Sequence, residues 1–214
     1  MSKALESNND FELHIMEDAH AEQAIEILSQ SFSQREPLTV GILTAEQARV
    51  FMEHCVRELA LKEKVSLVIV EKNTNKVVHA LINFDNLTEN NFDISKMPPK
   101  WASIGNALET LGAKYRSTSQ NVRKGEVLHL WMAATREGYE GRGFLMWSGG
   151  VLLKVAKNAG FKEIVIEATA NGTHHIFANK LGFTINNTII PCELFPNEFG
   201  HLKDHKCTYL VGKL

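Results

Sequence analysis

The chain reads as one α/β domain built on a partly antiparallel sheet. Three observations predict this. Two apolar strands at residues 65–71 and 76–84 are joined by Asn73-Thr-Asn-Lys76, a hairpin connection. A strand, a glycine-rich turn and a helix follow across residues 128–160. Strand, helix and strand then alternate to residue 190.

Taken in order, residues 1–10 are polar and read as a loose tail, and 11–16 as a short strand. Residues 18–31 carry helix-spaced apolar positions (Ala21, Ala24, Ile25, Leu28), with Asp18 placed to cap them. Residues 33–41 are irregular, and Pro37 stops the helix. Thr44 and Gln47 fit a capping box opening a helix over 44–62, whose face is Val50, Phe51, His54, Val56 and Leu59. After the hairpin, 85–100 is a polar loop ending in Pro98-Pro99, and 101–115 a further helix. The central strand starts near Glu126, and the helix after its turn covers 144–159 and stops at Gly160. A strand at 161–168, a helix at 171–181 and a strand at 182–190 come next. A loop with Pro191 and Pro196 leads to a last strand containing residues 208–211.

Composition narrows the functional classes. With 214 residues and 44% apolar content, the chain buries a real core. A net charge of −2 gives no field that would draw nucleic acid or anionic lipid. The longest aliphatic runs, such as 65–70, are far too short to span a bilayer, and residues 1–13 hold no apolar leader core. Three widely spaced cysteines (Cys55, Cys192, Cys207) argue for a reducing compartment, so a soluble cytoplasmic protein is expected.

The glycine turn carries the chemistry. Gly138, Gly141 and Gly143 lie between an apolar strand and a helix. That arrangement aims unsatisfied backbone N–H groups and the positive end of a helix dipole at an anion. A phosphorylated cofactor is expected there.

The segment from Glu140 to Leu145, Glu-Gly-Arg-Gly-Phe-Leu, together with Asn179-Lys-Leu-Gly-Phe183 at the expected distance, resembles the GNAT acetyltransferase superfamily. Phe32-Ser-Gln-Arg-Glu-Pro-Leu38 is similar to the F-x-x-x-E-P-L segment of its insect-type arylalkylamine N-acetyltransferase branch, and the ending Tyr209-Leu-Val-Gly-Lys-Leu214 fits that branch too. The resemblance implies a single GNAT domain over 11–214 with a mixed, mostly antiparallel central sheet flanked by helices. It implies acetyl-CoA as cosubstrate, no metal, and a small primary amine as partner.

The same resemblance assigns roles. Glu36 is the general base that takes the amine's proton; its competing reading is a solvated carboxylate beside Arg35. Met132, Ala133 and Ala134 line the thioester with their backbone. Gly138, Tyr139, Glu140, Gly141, Arg142, Gly143 and Phe144 hold the pyrophosphate, and Asn171 and Phe177 complete the cofactor contacts. Glu140 and Leu145 depart from the family, which places Arg or Gln and a small residue there. A carboxylate there repels a pyrophosphate, and the Glu140 N–H can still serve if its side chain turns to solvent. Ala178 stands where the family often has a tyrosine that protonates the leaving thiolate; His174, or Thr173 beside it, is the substitute.

Other readings compete. The chain is alternatively a non-catalytic acyl-CoA-binding sensor or scaffold. A Rossmann dinucleotide site would use Gly141 and Gly143, but the fingerprint's third glycine falls at Met146. Cys192, His201, His205 and Cys207 are metal-ligand types without zinc-site spacing. Cys55 reads as a buried inert thiol.

Overall fold

The computed structural model describes residues 3–214, and eight strands join there in one sheet. They are β1 (Glu6–Ser7), β2 (Phe11–Ile15), β3 (Leu67–Glu71), β4 (Lys76–Asp85), β5 (Val127–Thr135), β6 (Glu163–Ala168), β7 (Thr184–Ile189) and β8 (Cys207–Lys213). Their order is β1-β2-β3-β4-β5-β6-β8-β7, and among the described residues β5–β6 is the one parallel pair. A sheet this rich in antiparallel pairs is not the doubly wound parallel sheet of a Rossmann domain. β1 pairs with β2 inside the stretch expected to be a tail; Met1 and Ser2 lie outside the described residues.

The helices follow from their caps. α1 (Asp18–Gln34) opens at Glu17, whose side chain forms a reciprocal capping box with His20. Asp18, expected as the cap, is therefore the first helical residue. α1 runs past residue 31 and closes where the Arg35 N–H bonds the Ser31 carbonyl, which sets Arg35 and Glu36 at its end. α2 (Ala45–His54) begins at the expected Thr44–Gln47 box, then passes through a π-helical stretch, Cys55–Ala60, into α3 (Leu61–Glu63). α4 is Trp101–Thr118 and α5 Phe144–Asn158. α6 (Asn171–His174) continues as a π-helical stretch, His175–Lys180. The expected loop around Pro191 and Pro196 holds two short helices, α7 (Pro191–Leu194) and α8 (Pro196–Phe199). Each starts on its proline, where a missing N–H costs no helical bond.

The core lies on both faces of the sheet. α1, α2 and the π-helical stretch after it bury Ile25, Leu28, Met52 and Val56 against Ile82 on one face. α5 buries Phe144 and Leu152 with Phe177 and Leu210 on the other. A third cluster gathers Ile104 and Leu111 of α4 with Val165, Phe199 and Tyr209.

Two irregularities position the site. First, β5 and β6 pair only over residues 127–130 and 163–166. Beyond that point β5 stays with β4 and β6 with β8, so the sheet opens between Trp131 and Glu167. Second, Ile82 pairs with Met132 and Asn83 with Leu130, which leaves Trp131 as an extra residue. A bulge of this kind flips the alternation of side chains. Leu128 and Leu130 face α5, whereas Met132 and Ala134 face α1 and α2.

Candidate active site

Two cavities meet at the opening. The first, of about 370 Å³, is a groove lined by Arg35, Glu36, Pro37, Ala133, Ala134, Thr135, Glu140, Leu145, Gly172, Thr173 and Ile176, among others. Of the glycine turn and the start of α5 it includes Glu140 and Leu145, while Gly138, Gly141 and Gly143 do not line it. Gly138 and Gly143 hold φ of 83° and 77°, left-handed values that a side chain resists. Gly143 is the N-cap of α5, and no side chain caps that helix, so its first N–H groups face the turn. Gly141 shares the same left-handed geometry.

The other residues expected at a cofactor divide. Ala133 and Ala134 line the groove, whereas Met132 lines the second cavity. Tyr139 packs edge-on to Phe11 and donates its hydroxyl to Glu71 at 3.1 Å, and the Arg142 guanidinium lies 4.9 Å over its ring. Arg142 is thus turned toward the β2 side, away from the groove. Phe144 and Phe177 are core residues: Phe144 packs on Phe11, and Phe177 is fully buried edge-on to Phe183. Asn171 is exposed at the start of α6 and lines neither cavity. His174 does not reach the groove either. Its Nδ1 hydrogen-bonds Thr208 Oγ1 on β8 at 2.9 Å, and its neighbour Thr173 lines the groove instead.

The Glu140 side chain stays on the turn. Its carboxylate folds back onto the turn and accepts the Gly138 N–H at 2.8 Å. Arg35 pairs with the same carboxylate and also donates to the Thr135 carbonyl at 2.7 Å. Glu140's own backbone N–H, then that of Gly138 and the Arg35 guanidinium, hold this carboxyl below the usual range. The fit to CoA is therefore divided. The strand edge at Ala133 and Ala134 suits a pantetheine thioester, and the start of α5 suits a phosphate, but a diphosphate on the turn meets the Glu140 carboxylate.

The second cavity, of about 240 Å³, is walled by the rings of Phe32, Phe51, Phe92, Trp101 and Trp131, with Ile104, Leu108 and Met132. Phe51 is the hub: its centroid lies 5.0, 4.8 and 5.6 Å from those of Phe92, Trp101 and Trp131, each edge-to-face. Two carboxylates enter this apolar space, Glu36 and Glu167. Glu167 Oε2 is 2.5 Å from His129 Nε2, both side chains 13% exposed. Glu36 is held from α1's end: its N–H bonds the Ser31 carbonyl at 3.0 Å, and its Oε2 accepts the Thr39 N–H at 2.7 Å. Thr39 in turn donates its hydroxyl to the Phe32 carbonyl. Glu36 lines both cavities.

Behind the groove, His79 is buried between Thr135 Oγ1 (2.9 Å) and Ser148 Oγ (3.0 Å). Burial alone pushes its pKa down to about 3, so it is a neutral linker at any ordinary pH. Cys207 lies close enough to Glu36 to feel its charge. Burial first, then Glu36, raises that thiol to about 12, which rules out a thiolate nucleophile there. Among the described residues no group of three or more His, Cys, Asp or Glu is placed to hold a metal ion. No described helix is long and apolar enough to cross a membrane.

Of the wall, Trp101 alone invites a stacking role from sequence; the Glu167–His129 pair and the other rings were not legible as a site. His129 and Trp131 sit in a strand that reads as plain core, and the bulge that re-aims them has no local signature.

No protein-family model matches the chain, and no curated protein sequence does. Solved structures do. The C-terminal condensation domain of Ebony, in complex with beta-alanyl-dopamine, superposes with a TM-score of 0.84 at 18% identity over 95% of this chain and 99% of its own. The arylalkylamine N-acetyltransferase 7 of Aedes aegypti gives 0.79 at 16% identity, covering 95% and 87%. The polyamine N-acetyltransferase of Drosophila melanogaster gives 0.69 at 17%, covering 96% and 100%. The strand order, the opened β5–β6 pair, the glycine turn and these superpositions together establish that the chain has the fold of the GNAT N-acetyltransferases.

Proposed function

We propose that the protein is an N-acetyltransferase that moves an acetyl group from a pantetheine thioester, acetyl-CoA being the common form, to a small primary amine bearing an aromatic ring. One observation carries this reading: a groove suited to the thioester and an aromatic cavity suited to the amine touch at a single carboxylate, Glu36.

The amine arrives protonated. The aromatic rings bury its apolar part, and each well-placed ring pair adds about 0.5–1.5 kcal/mol. Glu167, oriented by His129, draws the ammonium inward. Glu36 accepts its proton, directly or through one water, and leaves a neutral nitrogen facing the groove. The thioester supplies an activated acetyl carbon. Peptide groups of β5 beyond residue 130 that point away from β4 have no strand partner, and their N–H groups stabilise charge developing on the carbonyl oxygen. Thr173, the groove's hydroxyl nearest in sequence to the expected donor position, is our candidate for hydrogen-bonding the departing thiolate, which is neutralised by the second proton that the acylated nitrogen sheds.

The neighbours support the amine class. One is named for arylalkylamines, and another is held with beta-alanyl-dopamine, an N-acylated arylalkylamine. A third is named for polyamines, but five aromatic rings favour the aryl acceptor here. The test is a panel of 2-arylethylamines, agmatine and aliphatic diamines with acetyl-CoA and with S-acetylpantetheine, reading thiol release and the mass of the product. Arylethylamines are expected to exceed diamines in kcat/KM by about 10-fold or more, within the range apolar pockets provide. No acetylated amine from either donor would sink the reading.

A further inference from the structure

We propose that Glu140 sets which thioester this protein accepts: its carboxylate occupies the glycine turn as a built-in anion, so the donor is recognised through its pantetheine arm and acyl group and gains little from a diphosphate. This rests on the transferase reading above and names the donor side of the same site.

Three observations converge. The Glu140 carboxylate lines the donor groove together with Ala133, Ala134 and Leu145, so it stands inside the space a donor would enter. It takes the Gly138 N–H, one of the groups that a glycine turn offers a phosphate. The arginines around the turn already have partners: Arg35 with Glu140 itself, Arg136 with Glu26, and Arg142 over Tyr139. A diphosphate arriving here finds a carboxylate and no uncommitted guanidinium. Like charges a few ångströms apart at a half-wet surface weaken binding by about tenfold or more. A pantetheine without phosphate meets no such penalty.

The carboxylate is dispensable to the fold. The Arg35–Glu140 pair is 36% and 48% exposed, and ion pairs this exposed contribute little to stability. Glu140→Gln keeps the shape and an acceptor for Gly138 while removing the charge; Glu140→Ala removes both. Glu137, also exposed on the turn and bonded to Gln30, is the control for bulk charge.

The experiment is isothermal titration of CoA and of pantetheine into wild type, Glu140→Gln, Glu140→Ala and Glu137→Gln, with the unfolding midpoint measured for each. The quantity read is the ratio of CoA to pantetheine affinity. Both Glu140 variants are expected to raise it by about tenfold, and Glu137→Gln by less than about threefold. Ratios in the Glu140 variants within about twofold of wild type, an equal rise in Glu137→Gln, or no CoA binding to any of the four proteins would overturn the inference. Acetylation of the amine panel with S-acetylpantetheine separates the two claims. If the ratio moves as expected but no amine is acetylated, the transferase reading fails while Glu140's control of the groove stands.

Discussion

The donor groove and the acceptor cavity are built in opposite ways. The groove takes its strand edge and its turn from one continuous stretch, β5 to the start of α5, and residues around the end of α1 and along α6 close it. The cavity comes from side chains far apart in sequence: Phe32 on α1, Glu36 just after it, Phe51 on α2, Phe92 in the loop before α4, Trp101 on α4, Trp131 on β5 and Glu167 on β6. Backbone sites tolerate sequence change as long as the turn geometry survives. Side-chain sites change with every substitution. The fold itself is shared with solved structures at 16–18% identity, while the side chains that line its cavities are set chain by chain.

Breaking the point where the two regions meet should have the largest effect. Glu36→Gln is expected to lower kcat by about 10²–10⁴-fold while donor affinity stays near wild type. The defect should shrink at alkaline pH, where the amine is already neutral. Steady-state rates from pH 6.5 to 9.5, with donor titrations beside them, check this; wild-type turnover at neutral pH would reduce Glu36 to a structural carboxylate.

On the donor side, His79 ties β4 to β5 and α5 as a buried neutral ring. Its folded pKa of about 3 lies below its ordinary value of 6.5, so between those values the unfolded chain binds more protons than the folded one. Stability should therefore fall as pH drops from about 6.5 toward 3, by up to about 1.4 kcal/mol per unit from this residue alone. Urea unfolding at pH 7, 6, 5 and 4 should show a shallower acid loss for His79→Gln than for wild type. Equal slopes would contradict the burial argument.

The smallest effect belongs to the acceptor side. Glu167→Gln removes a charge and loosens His129, and should raise KM for an arylethylamine by about 3–10-fold with a lesser change in kcat. A kcat loss as deep as that of Glu36→Gln would instead make Glu167 the base.

The two regions were unequally legible for the same reason that they are built differently. The glycine turn, the strand before it and the helix after it lie in one window, so periodicity and glycine spacing expose them. Glu36 was visible only through its resemblance to a family segment. Its partner Thr39 lies three residues on, and nothing in that spacing announces a cavity. The side chains of Phe177 and Phe144 lie in the core, because sequence gives neighbours along the chain and not the direction a side chain takes. Arg35 was read as a solvating neighbour of Glu36, yet it reaches across to Glu140, 105 residues away. Long-range ion pairs and the Trp131 bulge are decided by tertiary packing, which no local pattern encodes.

Whether donor and acceptor meet at Glu36 is read from a crystal structure with a bisubstrate analogue, pantetheine joined through an acetyl linker to the nitrogen of a 2-arylethylamine. The expected structure has the aryl ring against Phe51, Trp101 and Trp131, the linker carbonyl along Ala133 and Ala134, and a Glu36 carboxylate oxygen within about 3.2 Å of the linking nitrogen or one water away from it. A nitrogen placed away from Glu36, with the aryl group outside the aromatic wall, would contradict that meeting point.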